Sequence, residues 1–422
     1  MKKNYFLGAL LFVTSMGYSQ KTIIVNGGQY GNQNENVNVM VYDANTNTHR
    51  VIDTIHSQSV QEIIFEGPTA YVAAQDSIVS YDLKTEKRIA ATSFNGLSTK
   101  SLAILGTDLL VGNYYGKTTD NLYLYDKQTL VLRDSITALS KTVSSILTFG
   151  NKAYIPQNVQ TANYTDTLAY IVVIDIPNRT IIDTISISGY SGDFGELILN
   201  PNHLGFISIN SQSNTISKFS FNNLNAGINT SFTNDLSVTN RSLYTVYNDT
   251  LFLRMDNGIG ALNINSLALI DAKIVDTVIT GFTYDTLNSK FYVTQTDFFS
   301  YQAAKEYGRN GIKVKEFTVG FSPEVIRMYY GQSVGIEQLT SKEFSITVYP
   351  NPTADYINLD FSTLNTNQVE AVLITQNGQE VFRKRLSINS NRIDLSNCNS
   401  GFYFLIIKTD KSVYTTKIVK YD

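Results

Sequence analysis

Short apolar runs, many of them alternating with polar residues, recur along the first 330 positions and predict strands rather than helices. Tyr71-Val72-Ala73-Ala74 followed by Ile78-Val79-Ser80-Tyr81-Asp82 is one clear copy, and Leu122-Tyr123-Leu124-Tyr125-Asp126-Lys127-Gln128-Thr129 is another. Alternation at period two gives a strand two distinct faces, which is the signal used here. The third strand of each unit ends on a Tyr-Asp-like step whose first position falls at Tyr42, Tyr81, Tyr125, Ile174, Phe219, Leu262 and Tyr307. The intervals are 39, 44, 49, 45, 43 and 45 residues. Seven units of about 44 residues, each of four strands, predict an all-β chain built as a seven-bladed β-propeller, since one such sheet cannot bury both faces alone.

The ends of the repeat array predict how it closes. The first unit begins with Thr22-Ile23-Ile24-Val25, which matches the second strand of other units, so its own first strand is missing. After the seventh unit, Glu324 to Tyr330 resembles that strand, as comparison with Ser59 to Phe65 indicates. Pairing it inside the first blade would remove a free sheet edge. The propeller is thus expected over residues 20–330. Residues 331–342 break the repeat and read as a linker, and 343–422 read as a small β-sandwich with strands at Phe344–Val348, Tyr356–Phe361, Val369–Thr375, Val381–Leu386, Phe402–Lys408 and Tyr414–Lys420.

Composition narrows the function classes. Only 16% of residues are charged and the net charge is −3 with both signs dispersed, so there is no basic footprint for nucleic acid. A single cysteine, Cys398, excludes an intramolecular disulfide, and three histidines, His49, His56 and His203, at unrelated repeat positions argue against a metal site. The first nineteen residues read as a signal peptide: Lys2 and Lys3, an apolar run from Phe6 to Val13, then Gly17 and Ser19 before a cut at Gln20. No cysteine follows for lipidation, and no segment offers the roughly 18 uninterrupted apolar residues a transmembrane helix needs.

Candidate chemistry sits on loops. The second-to-third connections at Asn26–Asn36, Asn113–Asn121, Gln157–Thr167 and Gln295–Tyr301 are long, whereas the second unit has only Gln75-Asp76 there. In a propeller these connections, with those between blades, share one face. Tyr30, Tyr114, Tyr115, Tyr164, Tyr190, Phe298 and Phe299 punctuate them among Asn, Gln, Thr and Gly, a mixture suited to a small polar ligand, a glycan or a protein partner. Asp193 and Glu196 form the best local pair of carboxylates, and could serve glycan cleavage as acid and base. No nucleophile elbow, zinc helix or phosphate loop occurs, so a noncatalytic role without cofactor is expected. Asp43-x-Asn45-x-Asn47 imitates the start of a calcium loop but has Thr48 and Thr54 where Gly and Glu are needed, and reads as a turn.

The C-terminal segment resembles the sorting domain of the type IX secretion system. The resemblance rests on Val348-Tyr349-Pro350-Asn351-Pro352-Thr353, Ile357-Asn358-Leu359, Asn377-Gly378-Gln379-Glu380-Val381, Gly401-Phe402-Tyr403-Phe404-Leu405 and a terminal Lys417-Ile418-Val419-Lys420. It implies export through the outer membrane by the type IX machinery, followed by release or surface attachment. The repeats are similar to surface-layer and quinoprotein-like propellers. The opening Ile24-Val25-Asn26-Gly27-Gly28-Gln29-Tyr30-Gly31 and the segments Phe291–Asp297 and Phe317–Pro323 resemble surface propellers that bind cobalamin and cap a TonB-dependent transporter. Gly27 stands where those proteins usually carry Glu. The tripeptide Asp-Ser/Thr-apolar, found eight times, resembles the O-glycosylation acceptor of exported proteins in bacteria with type IX systems. The loop copies at Thr167 and Thr286 are the expected sites, and those at Thr54, Ser135 and Thr184 are expected to be hidden in strands. A secreted or cell-surface binding propeller is the leading expectation; a structural or adhesion protein and a polysaccharide lyase or hydrolase are the alternatives.

Overall fold

The computed structural model describes residues 20–331 and 347–421, except 45, 95–97, 114–120, 140–141, 161–165, 187–193, 202, 361–367, 376–379, 388–390 and 409–412. The chain divides into two compact units, Tyr18–Gln332 and one that includes Ser333–Asp422. The expected signal peptide and most of the expected linker lie outside the described residues.

The first unit is all-β, a series of seven four-stranded antiparallel sheets consistent with a propeller. Sheet 1 is ordered Pro323–Tyr330, Gln20–Asn26, Val37–Asp43, Thr48–Ile55. Its late strand pairs antiparallel with the early one from Gln20↔Tyr330 to Val25↔Val325. Sheets 2 to 7 are meanders in chain order across residues 60–93, 99–136, 147–186, 194–231, 244–275 and 281–321.

Burial explains why the strands read differently in sequence. Within sheet 2, Thr69–Ala74 and Ser77–Asp82 are buried almost throughout, whereas the fourth strand, Lys87–Ser93, is mostly exposed. Inner strands are covered on both faces by neighbouring sheets, so they tolerate continuous apolar runs, while the outer strand takes Lys, Arg and Thr. Tyr42, Tyr81, Tyr125, Ile174, Phe219, Leu262 and Tyr307 are all buried near the ends of third strands. In sheets 2 to 7 the pairing of third with fourth strand shifts register at this position, by one residue between Ser80 and Tyr81 or Glu306 and Tyr307 and by more in sheet 5. A bulge there increases the local twist and lets the outer strand bend away. Where an acidic or amide residue follows, it caps the turn: Asp82 accepts from the Lys84 amide at 2.9 Å, Asp126 from the Thr129 amide at 2.7 Å and Asn263 from the Ser266 amide at 2.9 Å. Asp43 behaves likewise toward the Thr46 amide at 3.3 Å, a turn contact in the segment that imitates a calcium loop.

The core is a succession of apolar layers, each shared by two adjacent sheets. Ile23, Val41, Ile63 and Val79 join sheets 1 and 2. Ile24, Tyr42, Tyr292, Phe317 and Ile326 join sheet 7 to sheet 1, with Tyr42 stacked on Phe317 at 3.8 Å between ring centroids. Each shared layer removes apolar area from water at about 25 cal/mol per Å², and neither sheet can do so without its neighbour.

In the second unit, a sheet of Thr347–Tyr349, Tyr356–Asp360 and Arg392–Asp394 accompanies one ordered Glu380–Ser387, Gln368–Thr375, Gly401–Lys408, Val413–Lys420. Ile357, Leu359, Ala371, Leu373, Leu405, Ile407 and Ile418 form their common core. The three-residue strand Arg392–Asp394 was not anticipated, because so short a segment shows no alternation. Among the described residues no helix is long and apolar enough to cross a membrane.

Candidate binding face

Two of the four long second-to-third loops are fully described, and they lie on adjacent sheets. The first, residues 27–36 in sheet 1, is closed by backbone hydrogen bonds from the Gln29 amide to Glu35 O at 3.0 Å and from the Asn32 amide to Gln29 O at 3.0 Å. Gly28 makes the closure possible: its φ is +71°, and a Cβ there would lie 2.4 Å from Glu35 O. Tyr30 is held at this loop with 82% of its surface exposed.

The second loop, residues 295–300 in sheet 7, is organised by its own side chains. Thr296 Oγ1 accepts from the Phe298 amide at 2.8 Å, while Asp297 accepts from the Phe299 amide at 2.9 Å and from the Ser300 hydroxyl at 2.8 Å. The Phe299 amide contributes most to holding the Asp297 carboxyl below its ordinary range. Phe298 adopts φ +66°, a left-handed conformation that costs a bulky residue on the order of 1–3 kcal/mol. Nothing is gained by burial in return, since Phe298 and Phe299 are 52% and 72% exposed. The loops are tied together where the Tyr301 hydroxyl donates to Glu35 at 3.3 Å. The Glu35 charge raises the Tyr301 hydroxyl pKa.

A polar cleft of about 400 Å³ adjoins the first loop, lined by Asn36, His56, Ser57, Gln58, Gln75 and Asp76 among others. Gln58 connects them: its carbonyl oxygen accepts from the Gly31 amide at 2.9 Å, and its backbone amide donates to the Gln75 side chain at 3.0 Å. Gly31, the residue after Tyr30, is thus tied by its backbone to a residue that lines the cleft.

The structure brings Tyr30, Phe298 and Phe299 onto neighbouring loops. Tyr114, Tyr115, Tyr164, Tyr190 and Asp193 lie outside the described residues. Glu196 departs from its expected place in an exposed carboxylate pair. It is 2% exposed, accepts from the Ser145 hydroxyl at 2.8 Å and lies 3.9 Å from the Arg241 guanidinium. Burial pushes its carboxyl up to about 7 despite that cation, but a side chain so enclosed has no access to a polysaccharide chain. Thr54 and Thr184 differ from expectation too. Both are exposed on outer strands, whereas Thr286 is partly buried and donates its hydroxyl to Tyr330 Oη at 3.1 Å.

Glu196 belongs to a buried network that sequence reasoning missed. Arg241, in a single 3-10 turn ahead of sheet 6, lies 3.6 Å from Glu62 of sheet 2 and donates to Leu102 O of sheet 3 at 2.9 Å and to Ile146 O beside sheet 4 at 3.0 Å. Its carbonyl accepts from Arg327 of sheet 1 at 2.7 Å. Glu62 also accepts from the Leu102 amide at 2.7 Å. The signal was available as a charged residue inside an apolar first strand: Glu62 in Val60–Glu66, Glu196 in Phe194–Leu199, Arg327 in Pro323–Tyr330. Among the described residues, no group of three or more His, Cys, Asp or Glu could hold a metal ion.

Residues 347–421 match the family described as the secretion system C-terminal sorting domain. The C-terminal unit is a sorting domain. The protein is therefore exported to the cell surface or secreted, with the type IX machinery involved. No curated protein matches the sequence. Among solved structures, the extracellular domain of the B. thetaiotaomicron protein BT4673 aligns at 12% identity and a TM-score of 0.49, covering 95% of this chain and 57% of that one. PorZ of Porphyromonas gingivalis, described as an essential surface component of the type-IX secretion system, aligns at 11% identity and a TM-score of 0.48, covering 95% and 58%. The computationally designed Ika8 protein aligns at 11% identity and 0.46, covering 73% and 96%. This chain thus spans less than two thirds of the two natural proteins.

Proposed function

We propose that this exported protein is a seven-bladed, ring-closed propeller that acts without catalysis, binding a ligand or partner through the face where the long loops of sheets 1 and 7 meet. One observation carries the reading: three large rings, Tyr30, Phe298 and Phe299, are left exposed on two loops joined by the Tyr301–Glu35 hydrogen bond. Exposed aromatics on self-braced loops offer contact area at low conformational cost. Ring closure is supported by the apolar layer between sheets 7 and 1 and by the pairing of Pro323–Tyr330 with Gln20–Asn26. A corrinoid or a glycan, captured for a TonB-dependent transporter, is the proposed cargo.

The test uses labelled mature protein on cells of a strain lacking its gene, together with calorimetric titration of cyanocobalamin. A Tyr30→Ala/Phe298→Ala/Phe299→Ala variant that folds normally should lose at least tenfold in affinity in whichever assay shows binding. Undiminished binding by this variant would overturn the loop-face reading.

A structural or adhesive role is the second reading, and one observation favours it. Each of the seven sheets of the first unit exposes an aliphatic residue on its fourth strand: Val51, Ile89, Leu132, Ile182, Ile228, Ile270 and Val314. Such outward apolar positions suit lateral packing on a crowded surface.

A further inference from the structure

We propose that the cleft between sheets 1 and 2 is a subsite for one unit of a neutral carbohydrate, with the exposed Tyr30, next to the Gly31 that is bonded to Gln58 of the lining, as a stacking surface. The inference rests on the loop-face reading above and adds a ligand class to it.

The lining decides the class. Amides of Asn36, Gln58 and Gln75, the Ser57 hydroxyl, the His56 imidazole and the Asp76 carboxylate surround a volume of about 400 Å³, comparable with a small-ligand site. Carboxamides and a hydroxyl can both donate to and accept from vicinal hydroxyl groups, and the carboxylate accepts from them. The cleft contains neither Lys nor Arg, so it offers nothing to neutralise a uronate or sulfate. It also lacks the apolar walls that a flat hydrophobic ligand would need.

Ser57 supplies an independent indication. It is 5% exposed, and its Oγ has no hydrogen-bond partner, although its backbone amide and carbonyl are both bonded, to Ile55 O at 2.7 Å and the Val37 amide at 2.8 Å. A buried hydroxyl without a partner costs about 1–3 kcal/mol, and a ligand hydroxyl entering the cleft would remove that cost. Its neighbours are already committed elsewhere: the Gln75 carbonyl oxygen to the Gln58 amide, and one Asp76 oxygen to the Ser77 hydroxyl at 3.2 Å. Their remaining lone pairs and amide protons are what the cleft presents. The scaffold beneath is rigid, because the Phe94 and Thr99 amides bond to the backbone carbonyls of Asp76 and Gln75 at 2.5 and 2.6 Å.

The experiment is affinity electrophoresis of the full mature chain through native gels containing dextran, mannan, xylan or laminarin, with polygalacturonate as the anionic comparison. The variants are Asp76→Ala, Ser57→Ala and Tyr30→Ala, each checked for a melting temperature no lower than the parent's. Retention by at least one neutral polysaccharide, weakened tenfold or more by Asp76→Ala and severalfold by the other two, supports the subsite. Retention by polygalacturonate alone, or retention that none of the three substitutions changes, overturns it. So does the absence of retention in every gel. In that last case, binding to cells that is lost in the Tyr30/Phe298/Phe299 variant would still leave the loop face standing, so the two readings fail separately.

Discussion

The carboxylate of Glu324 occupies the space in front of Gly27: a Cβ added at Gly27 would lie 1.9 Å from Glu324 Oε1 and 2.6 Å from its Cδ. The Gly27 amide is bonded to Ser322 O at 2.6 Å, and the Ser322 hydroxyl donates to Glu324 at 2.8 Å. The start of the first long loop is thereby pinned to the late strand that joins sheet 1.

Burial pushes the Glu324 carboxyl up to about 7 from an ordinary 4.5. Between those values the folded protein retains a proton that the unfolded chain releases, so this group's contribution to stability falls as pH rises from about 4.5 to about 7 and is level above that. The loss is on the order of 2 kcal/mol for this partly exposed side chain. Glu324→Gln should therefore raise the melting temperature by a few degrees at pH 8 and change it little at pH 4.5. Thermal melts at the two pH values check this; equal shifts at both would contradict it. Glu196 moves in the same direction, so some pH dependence remains in the variant.

Arg241 holds the inner network together. Replacing it by Met takes from the buried Glu62 and Glu196 the cation they pair with, leaving only Arg327 in the network, and removes the donors to Leu102 O and Ile146 O. Leaving a buried charge uncompensated costs about 3–5 kcal/mol. Urea unfolding of Arg241→Met should show a loss of that size, and adding Glu196→Gln should recover part of it. Additive losses in the double variant would show that the two side chains are not energetically coupled.

The strands were legible because each inner strand is covered on both faces and carries a repeated buried marker. Tyr42, Tyr81 and Tyr307 keep the same role near the end of a third strand, and Ile174 and Leu262 could be aligned with them because only burial is required there. The loop aromatics Tyr30, Phe298 and Phe299 were legible as exposed rings, since polar neighbours gave them no apolar run to join. The Arg241 network was not. Its members come from sheets distant in sequence, and no local pattern links Glu62 to Glu196 or Arg327. The cleft escaped notice for a related reason: Gln75-Asp76 was read as a short connection, and its value as a wall depends on Asn36 and Gln58 arriving from another sheet.

The sorting domain makes a separable prediction about location. Its core of Ile357, Leu359, Leu373, Leu405 and Ile418 draws on both of its sheets, and Val413–Lys420 pairs along the whole of Gly401–Lys408. Ending the chain at residue 412 removes that strand and exposes the edge of its partner. Cell fractionation should then find the truncated protein in the periplasm, with none at the surface or in the medium. Normal surface delivery would refute a sorting role for this unit.

The late strand of sheet 1 is the place where a small deletion should have the largest effect. Pro323–Tyr330 pairs with every residue from Gln20 to Asn26, and Ile326 and Met328 enter the layer shared with sheet 7. Tyr330 adds a cross-sheet tie, accepting from the Thr286 amide at 2.7 Å. Deleting 323–330 would leave the N–H and C=O groups of Gln20–Asn26 that face away from Val37–Asp43 unpaired along an apolar edge, a template for association with another chain. Size-exclusion chromatography with light scattering should show the deleted protein as oligomers or aggregate, where the parent elutes as a single species. A synthetic peptide of residues 322–331 added during refolding should restore the parental elution, because it resupplies both the ladder and the apolar side chains. A deleted protein that elutes like the parent, with an unchanged melting temperature, would mean that this strand is dispensable and that sheets 1 and 7 hold together without it.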